Sequence, residues 1–255
     1  MIEKWGIPVT PVTGKAPRTV YVYLPRAAEK HPDERFPVLY MFDGHNVFFD
    51  RDATYGKSWG LGEYLDGTDT PLIVAAVDCN HRPPHGRLSE YSPFSFTMPG
   101  EKRIVGRGKK FMDWLTGTLK PLIDRKYPTL PDRAHTFIAG SSMGGLMSLY
   151  ALAAYNAVFS RAAALSPSLW AGEGKMAEII RRTAFSPDTA AYLDYGTVEM
   201  ENHADMQRYF WDAAAALGEK GLDVNVRTVA GGRHCEADWQ KRLPVFVPFL
   251  LKQDQ

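Results

Sequence analysis

The sequence predicts an α/β fold in which a mainly parallel central sheet is flanked by helices on both faces. Three observations lead there. Short β-rich apolar stretches alternate with helical patterns along the chain, several of those stretches are apolar at nearly every position, and several end in a glycine or a polar cluster. Strands separated by helices require crossover connections, which make neighbouring strands parallel. A strand covered on both faces has no solvent side, so it reads as a continuous apolar run and not as an alternating one.

In chain order, "RTVYVYLP" (18–25), "FPVLYMFDG" (36–44) and "TPLIVAAVDCN" (70–80) read as the first strands. The tract 78–106 shows no periodicity, and a loop of that length in a compact domain is usually functional or mobile. A helix is predicted over 109–127, where Phe111, Leu115, Leu119, Leu122 and Ile123 recur near helical spacing. Next come a strand at 135–140, a helix at 143–155, strands at 160–167 and 190–196, a helix at 204–220 and a strand at 222–232. The last segment, 235–252, is helical, with Pro244 and Pro248 placed to start or kink it. No repeat and no Ser/Gly linker divides the chain, so residues 1–255 are expected to form one domain.

Charge excludes several functions. With 30 basic against 29 acidic residues the net charge is +1, and basic pairs such as Lys109–Lys110 and Arg181–Arg182 are scattered. Nothing favours nucleic acid or an anionic membrane as partner. The first ten residues lack the apolar segment of a signal peptide, and no run is long enough to cross a bilayer, so the expected location is cytoplasmic. Two cysteines do not make a disulfide framework and read as reduced thiols. Cys79 ends one predicted strand and Cys235 follows His234, which would bring both near one sheet edge and permit a redox-sensitive contact. No cofactor or metal is expected. His81 and His85 in "HRPPH" have ligand-like spacing but no Cys or carboxylate companions in a helix, and read as a loop facing solvent.

The chemistry centres on "AGSSMGG" (139–145), set between a predicted strand and a predicted helix. That is the setting of a nucleophile elbow, a strained turn whose neighbours two before and two after the serine must be small. Ser142 has Gly140 and Gly144 at those positions, whereas Ser141 would have Ala139 and Met143. Ser142 is therefore the candidate nucleophile. A serine hydroxyl needs a general base, and the base needs an orienting acid. In this architecture the chain order is serine, acid, histidine. Two histidines follow Ser142. His234 lies directly after the last predicted strand, while His203 precedes a helix and reads as a cap or surface residue. Glu199 lies just past the strand 190–196 and is preferred as the acid. Asp194 sits inside that strand, where an ionised carboxylate is costly to bury, and Asp238 is a weaker rival. The oxyanion would be held by the backbone N–H of Met143, at the positive end of the helix, and by that of His45 in "FDGHNVFFD" (42–50).

These residues resemble the esterase family of α/β-hydrolases, whose members include esterase D-like enzymes, feruloyl and acetyl esterases, siderophore (enterobactin-type) esterases and the mycolyltransferases of the antigen 85 group. The segments carrying the resemblance are "VLYMFDGHNVF", "RLSEYSPF", "LKPLIDRKYPTLPDRAHTFIAGSSMGGLMSLYA", "VFSRAAALSPSLW", "LDYGTVE" and "GGRHCEADW", from about Val38 to Trp239. The resemblance implies an α/β-hydrolase fold and places the nucleophile on Ser142, the acid on Glu199, the base on His234 and the oxyanion amides on His45 and Met143. Many relatives carry Asp where this chain has Glu199, and Gln where it has His45.

Trp59, Arg87, Glu90, Tyr91, Trp170 and Trp239 stand in predicted loops at the C-terminal edge of the sheet and are candidates to line a pocket for a small-molecule ester. The expected activity is serine carboxylic-ester hydrolysis through an acyl-enzyme, on a small acyl, hydroxycinnamoyl or siderophore-type ester. Two alternatives stay open: acyl transfer by the same residues, and a catalytically silent carbohydrate- or protein-binding module.

Overall fold

The eight-stranded sheet has the order β1-β2-β4-β3-β5-β6-β7-β8. Its strands are β1 (Ile2–Pro8), β2 (Pro17–Tyr23), β3 (Val38–Met41), β4 (Ile73–Val77), β5 (Thr136–Ser141), β6 (Arg161–Leu165), β7 (Ala190–Gly196) and β8 (Asp223–Val229). A computed structural model provides these coordinates and describes residues 1–31, 33–199 and 206–252. Strands β3 to β8 are parallel, and β1 and β2 join antiparallel at one edge. The fold is thus the expected α/β-hydrolase arrangement, with one more strand than the seven predicted. The extra strand β1 pairs only with β2. Its apolar residues Ile2, Trp5 and Ile7 are interrupted by charge and glycine, a weak signal that pairing along a whole neighbour overrides.

The continuous apolar runs have the reason anticipated for them. Along β3, Val38 and Tyr40 face one core layer while Leu39 and Met41 face the other. The first layer holds Phe111, Leu115, Leu119 and Ile123 together with Leu146, Leu149 and Ile180. The second holds Leu61, Leu65, Trp239, Leu243, Phe246 and Leu250. The single helix expected over 109–127 is two α-helices, Gly108–Trp114 and Lys120–Lys126, joined by a π-helical stretch at Leu115–Leu119. The wider turn suits apolar residues spaced at intervals of four, which drift off the face of an ideal 3.6-residue helix. The C-terminal segment is likewise two helices, Glu236–Gln240 and Leu243–Leu251, with Pro244 in the first turn of the second.

The strand order reverses at the centre. From β3 the chain crosses to β4 on one side, and β5 then takes the place on the other side of β3. At such a switch point the loops after the two strands part and leave a crevice at their C-terminal ends. Here those loops are the 42–50 segment and the Ser142 turn.

Candidate active site

Ser142 occupies the turn between β5 and the helix Met143–Ala154, with φ 58° and ψ −123°, a backbone region costly for any residue with a side chain. The turn is held by Ser142 N–H donating to Leu165 O at 2.9 Å and by Ser168 N–H donating to Ser142 O at 3.0 Å. The flanking glycines are required by space. A Cβ on Gly140 would lie 2.8 Å from the backbone of Gly144, and one on Gly144 would lie 2.9 Å from Phe42 Cβ. Ser142 Oγ stands 3.2 Å from Ser168 Oγ.

Glu199 and His234 come from the loops after β7 and β8, and the backbone ties those loops together. Thr197 N–H donates to Val229 O, Val198 N–H to Gly232 O, and Gly231 N–H to Thr197 Oγ1. Gly196 and Gly232 touch so closely that a Cβ on Gly196 would lie 2.1 Å from Gly232 O. The approach brings His234 Nδ1 to 2.6 Å from Glu199 Oε2. The other carboxylate oxygen accepts from Gly196 N–H and, at 2.8 Å, from Ser166 Oγ. Burial by itself would raise the Glu199 carboxyl. The His234 hydrogen bond, the Gly196 amide, the imidazole charge and the Ser166 hydroxyl outweigh it and hold the group below the usual carboxylate range. With Nδ1 engaged by the carboxylate, Nε2 is the nitrogen left for a substrate-side proton.

The rival acids are occupied elsewhere. Asp194 is fully buried, 2.5 Å from Arg242 Nη1 and 2.6 Å from Tyr192 OH. Asp238 accepts from Arg233 N–H at 2.8 Å and pairs with Lys241. His203 lies outside the described residues.

Ser142, His234, His45, Arg87 and Trp239 line one cavity of about 570 Å³, which also includes Asn46, Tyr55, Cys79, His81, Arg82, His85 and Glu236. His45 and Met143 both lie in the first turn of a helical segment, Gly44–Asn46 and Met143–Ala154, where an N–H has no acceptor within the helix. The loop before His45 is clamped. Asp43 takes a left-handed conformation at φ 55°, its N–H donates to Tyr91 OH at 3.1 Å, and its carboxylate is gripped by Arg87.

Three residues expected to line the pocket prove to support it from behind. Trp59 is buried against Trp239 and Phe246. Glu90 is fully buried in a bidentate pair with Arg18 and also accepts from Asn80 N–H. Tyr91 is fully buried with its ring against Phe42 and Phe111. Trp170 packs edge-on against Phe96 and is absent from the cavity lining. Aromatic and charged types that line pockets also fill cores, and only tertiary contact separates the two uses.

Sequence reasoning missed Ser166, Ser168, Asn46 and Glu236. Ser166 gathers three partners. It donates to Glu199 and accepts from Trp239 Nε1 at 2.9 Å and Arg242 Nη1 at 3.0 Å. Glu236 is buried, accepts from Asn46 Nδ2 at 3.1 Å, and is raised above the usual carboxylate range by its burial. Its signal was position, two residues past His234. Cys79 and Cys235 are both free thiols. Cys79 is buried in the cavity wall, and Cys235 precedes the helix Glu236–Gln240 outside that wall.

The family model described as "Putative esterase" matches residues 12–250. The chain belongs to that esterase family. Membership makes it an ester hydrolase. The Bacillus subtilis protein YbbA is 23% identical over 194 residues, 73% of each chain. The siderophore triacetylfusarinine C esterase of Aspergillus fumigatus is 26% identical over 138 residues, 52% of this esterase and 44% of that one. A solved ferulic acid esterase superposes with a TM-score of 0.74 at 17% identity, covering 98% of this esterase and 97% of that chain. Among the described residues no helix is long and apolar enough to cross a membrane.

Proposed function

We propose that this chain cleaves carboxylic esters through an acyl-enzyme formed on Ser142. The observation that carries the reading is the 2.6 Å contact between His234 Nδ1 and Glu199 Oε2 at the rim of the cavity that holds the strained Ser142. His234 Nε2 takes the serine proton as Oγ attacks the ester carbonyl, then passes it to the departing alcohol. A water deprotonated by the same nitrogen releases the acid. Glu199 keeps the ring in the tautomer that presents Nε2 and stabilises the imidazolium. The N–H groups of His45 and Met143 hold the tetrahedral oxyanion.

The cavity favours a polar, oxygen-rich ester over a long alkyl one. Its wall carries Arg82, His81 and His85 beside the aromatic faces of Tyr55 and Trp239. That combination suits phenolic, oxygen-rich groups, and the sequence relationship to a siderophore esterase agrees with it. The test is a panel of acetyl, butyryl, feruloyl and siderophore esters compared by kcat/KM, with labelling by a fluorophosphonate probe. Labelling of the wild type but not of Ser142→Ala is expected. Labelling that persists in Ser142→Ala would refute the assignment. Acyl transfer by the same residues would instead show as ester formation with an added alcohol.

A further inference from the structure

The cavity wall beside the 42–50 loop brings together four metal-ligating side chains, none of which forms or breaks a bond in the ester chemistry proposed above. His45, Asp78, Cys79 and His81 each offer one ligand atom, and these atoms all lie within 4.8 Å of one another. His45 arrives from the loop after β3 and the other three from the end of β4, so the switch point of the sheet creates the cluster. We propose that these four residues form a binding site for a divalent transition ion, with zinc as the best match.

Ligand chemistry makes the choice. Two imidazoles, a thiol and a carboxylate are a borderline-to-soft set suited to zinc, whereas calcium and magnesium take oxygen. Ligands on a zinc tetrahedron stand roughly 3.3–3.8 Å apart, from bonds of about 2.0–2.3 Å. The atoms here bracket that spacing. Asp78 Oδ1 lies 2.6 Å from His45 Nδ1 and 2.8 Å from His81 Nε2, and Cys79 Sγ lies 3.9 Å from either nitrogen of the His81 ring. Small side-chain rotations would spread the first two around a central ion.

The His45 ring is held in a ligating orientation. It is 7% exposed, and its Nδ1 faces Asp78 Oδ1 at 2.6 Å. Asp78 Oδ1 is crowded, because it also accepts from Cys79 N–H at 2.7 Å and from His81. Meanwhile Nε2 of His45 lies 2.9 Å from Thr54 Oγ1, and Thr54 N–H donates to Asn46 Oδ1. A ring fixed at Nε2 by an outer partner, with Nδ1 turned toward a carboxylate and a thiol, is how a metal-bound histidine is commonly oriented. His81 is the open door. Its side chain is 58% exposed, and it lines the solvent-connected cavity. On binding, the ion replaces the thiol proton of Cys79, which leaves to solvent.

The test uses the full chain after chelator treatment, titrated with zinc against a chromophoric chelator and separately with cobalt(II). One equivalent of zinc should bind. Cobalt should give a thiolate charge-transfer band that Cys79→Ser abolishes and Cys235→Ser preserves. His81→Ala, an exposed change that leaves the core intact, should weaken zinc binding by roughly tenfold or more. At equal concentration zinc should raise the Tm of the wild type by more than that of His81→Ala. Failure to bind a stoichiometric ion, or a band that survives in Cys79→Ser, would overturn the site. Neither readout depends on ester hydrolysis, so the result stands apart from the Ser142 assignment.

Discussion

Arg87 donates from Nε and Nη2 to the two carboxylate oxygens of Asp43, each at 2.7 Å. The fork fixes the residue two before His45 in its left-handed conformation. Arg87→Lys keeps the charge but loses the planar two-point grip. We expect kcat/KM to fall by roughly 10- to 100-fold, the cost of a small misplacement of an oxyanion donor, with little change in KM. Steady-state kinetics checks this, and an unchanged kcat would show that the loop holds its shape without Arg87.

Ser142 sits at a positive φ that any side chain resists. Ser142→Ala should lower kcat/KM by about 10⁴-fold or more while Tm stays close to wild type. Ser142→Gly should be equally inactive yet more stable than the alanine variant by roughly 1 kcal/mol, because glycine relieves the strain. Denaturant melts of the two variants decide it. Equal stability would mean that the turn carries no strain.

Glu199→Gln offers an amide where Nδ1 needs an acceptor, so the ring can settle in the wrong tautomer. The expected loss in kcat is about 10⁴-fold. Stability gives a second readout. The Glu199 carboxyl is held below its ordinary value in the folded state. Its contribution is therefore complete above the unfolded pKa of about 4.3 and disappears as pH falls through the folded value. Below about pH 4.3 the wild type should lose stability faster than Glu199→Gln. Parallel acid melts would contradict this.

Glu236 shows the opposite sign. Burial raises its carboxyl in the folded state, so ionisation costs stability as pH climbs from about 4.3 through the raised value. Glu236→Gln removes that cost and keeps an acceptor for Asn46 Nδ2. The variant should gain stability relative to wild type across that window and match it at lower pH. Chemical denaturation at several pH values measures the difference.

Ser166→Ala deletes one hydroxyl but unties three groups, Glu199, Trp239 and Arg242. Its effect should fall on kcat more than on KM, and Ser166→Thr should restore part of it. A loss confined to Tm would assign Ser166 a purely structural role.

The shape of the Ser142 turn was legible because its geometry constrains small residues tightly. The glycines around Ser142 answer a spatial demand of the turn, and the positions of Glu199 and His234 follow from the ends of the last two strands. The ranking of Glu199 over Asp194 rested on the cost of burying a charge, and Asp194 is indeed buried with Arg242 and Tyr192 as partners. Trp59, Glu90 and Tyr91 were misplaced because a residue's type does not say whether a pocket or a core receives it. The meeting of His45 with Asp78 and Cys79 was illegible for a different reason. It depends on β3 and β4 lying side by side, and local sequence carries no mark of that. His81 was paired by spacing with His85, which instead contacts Glu101 at 3.2 Å.

The stitched loops after β7 and β8 have a thermal consequence. Ser142 rises from the middle of the sheet, but His234 follows β8, an edge strand with no buried residue, anchored on one side only. Edge elements open at lower free energy than central ones. Activity should therefore be lost on warming before the sheet melts, as the margin peels away and carries His234 from Ser142, which stays in place. Hydrogen exchange in β8 should keep step with the loss of turnover, while β5 remains protected.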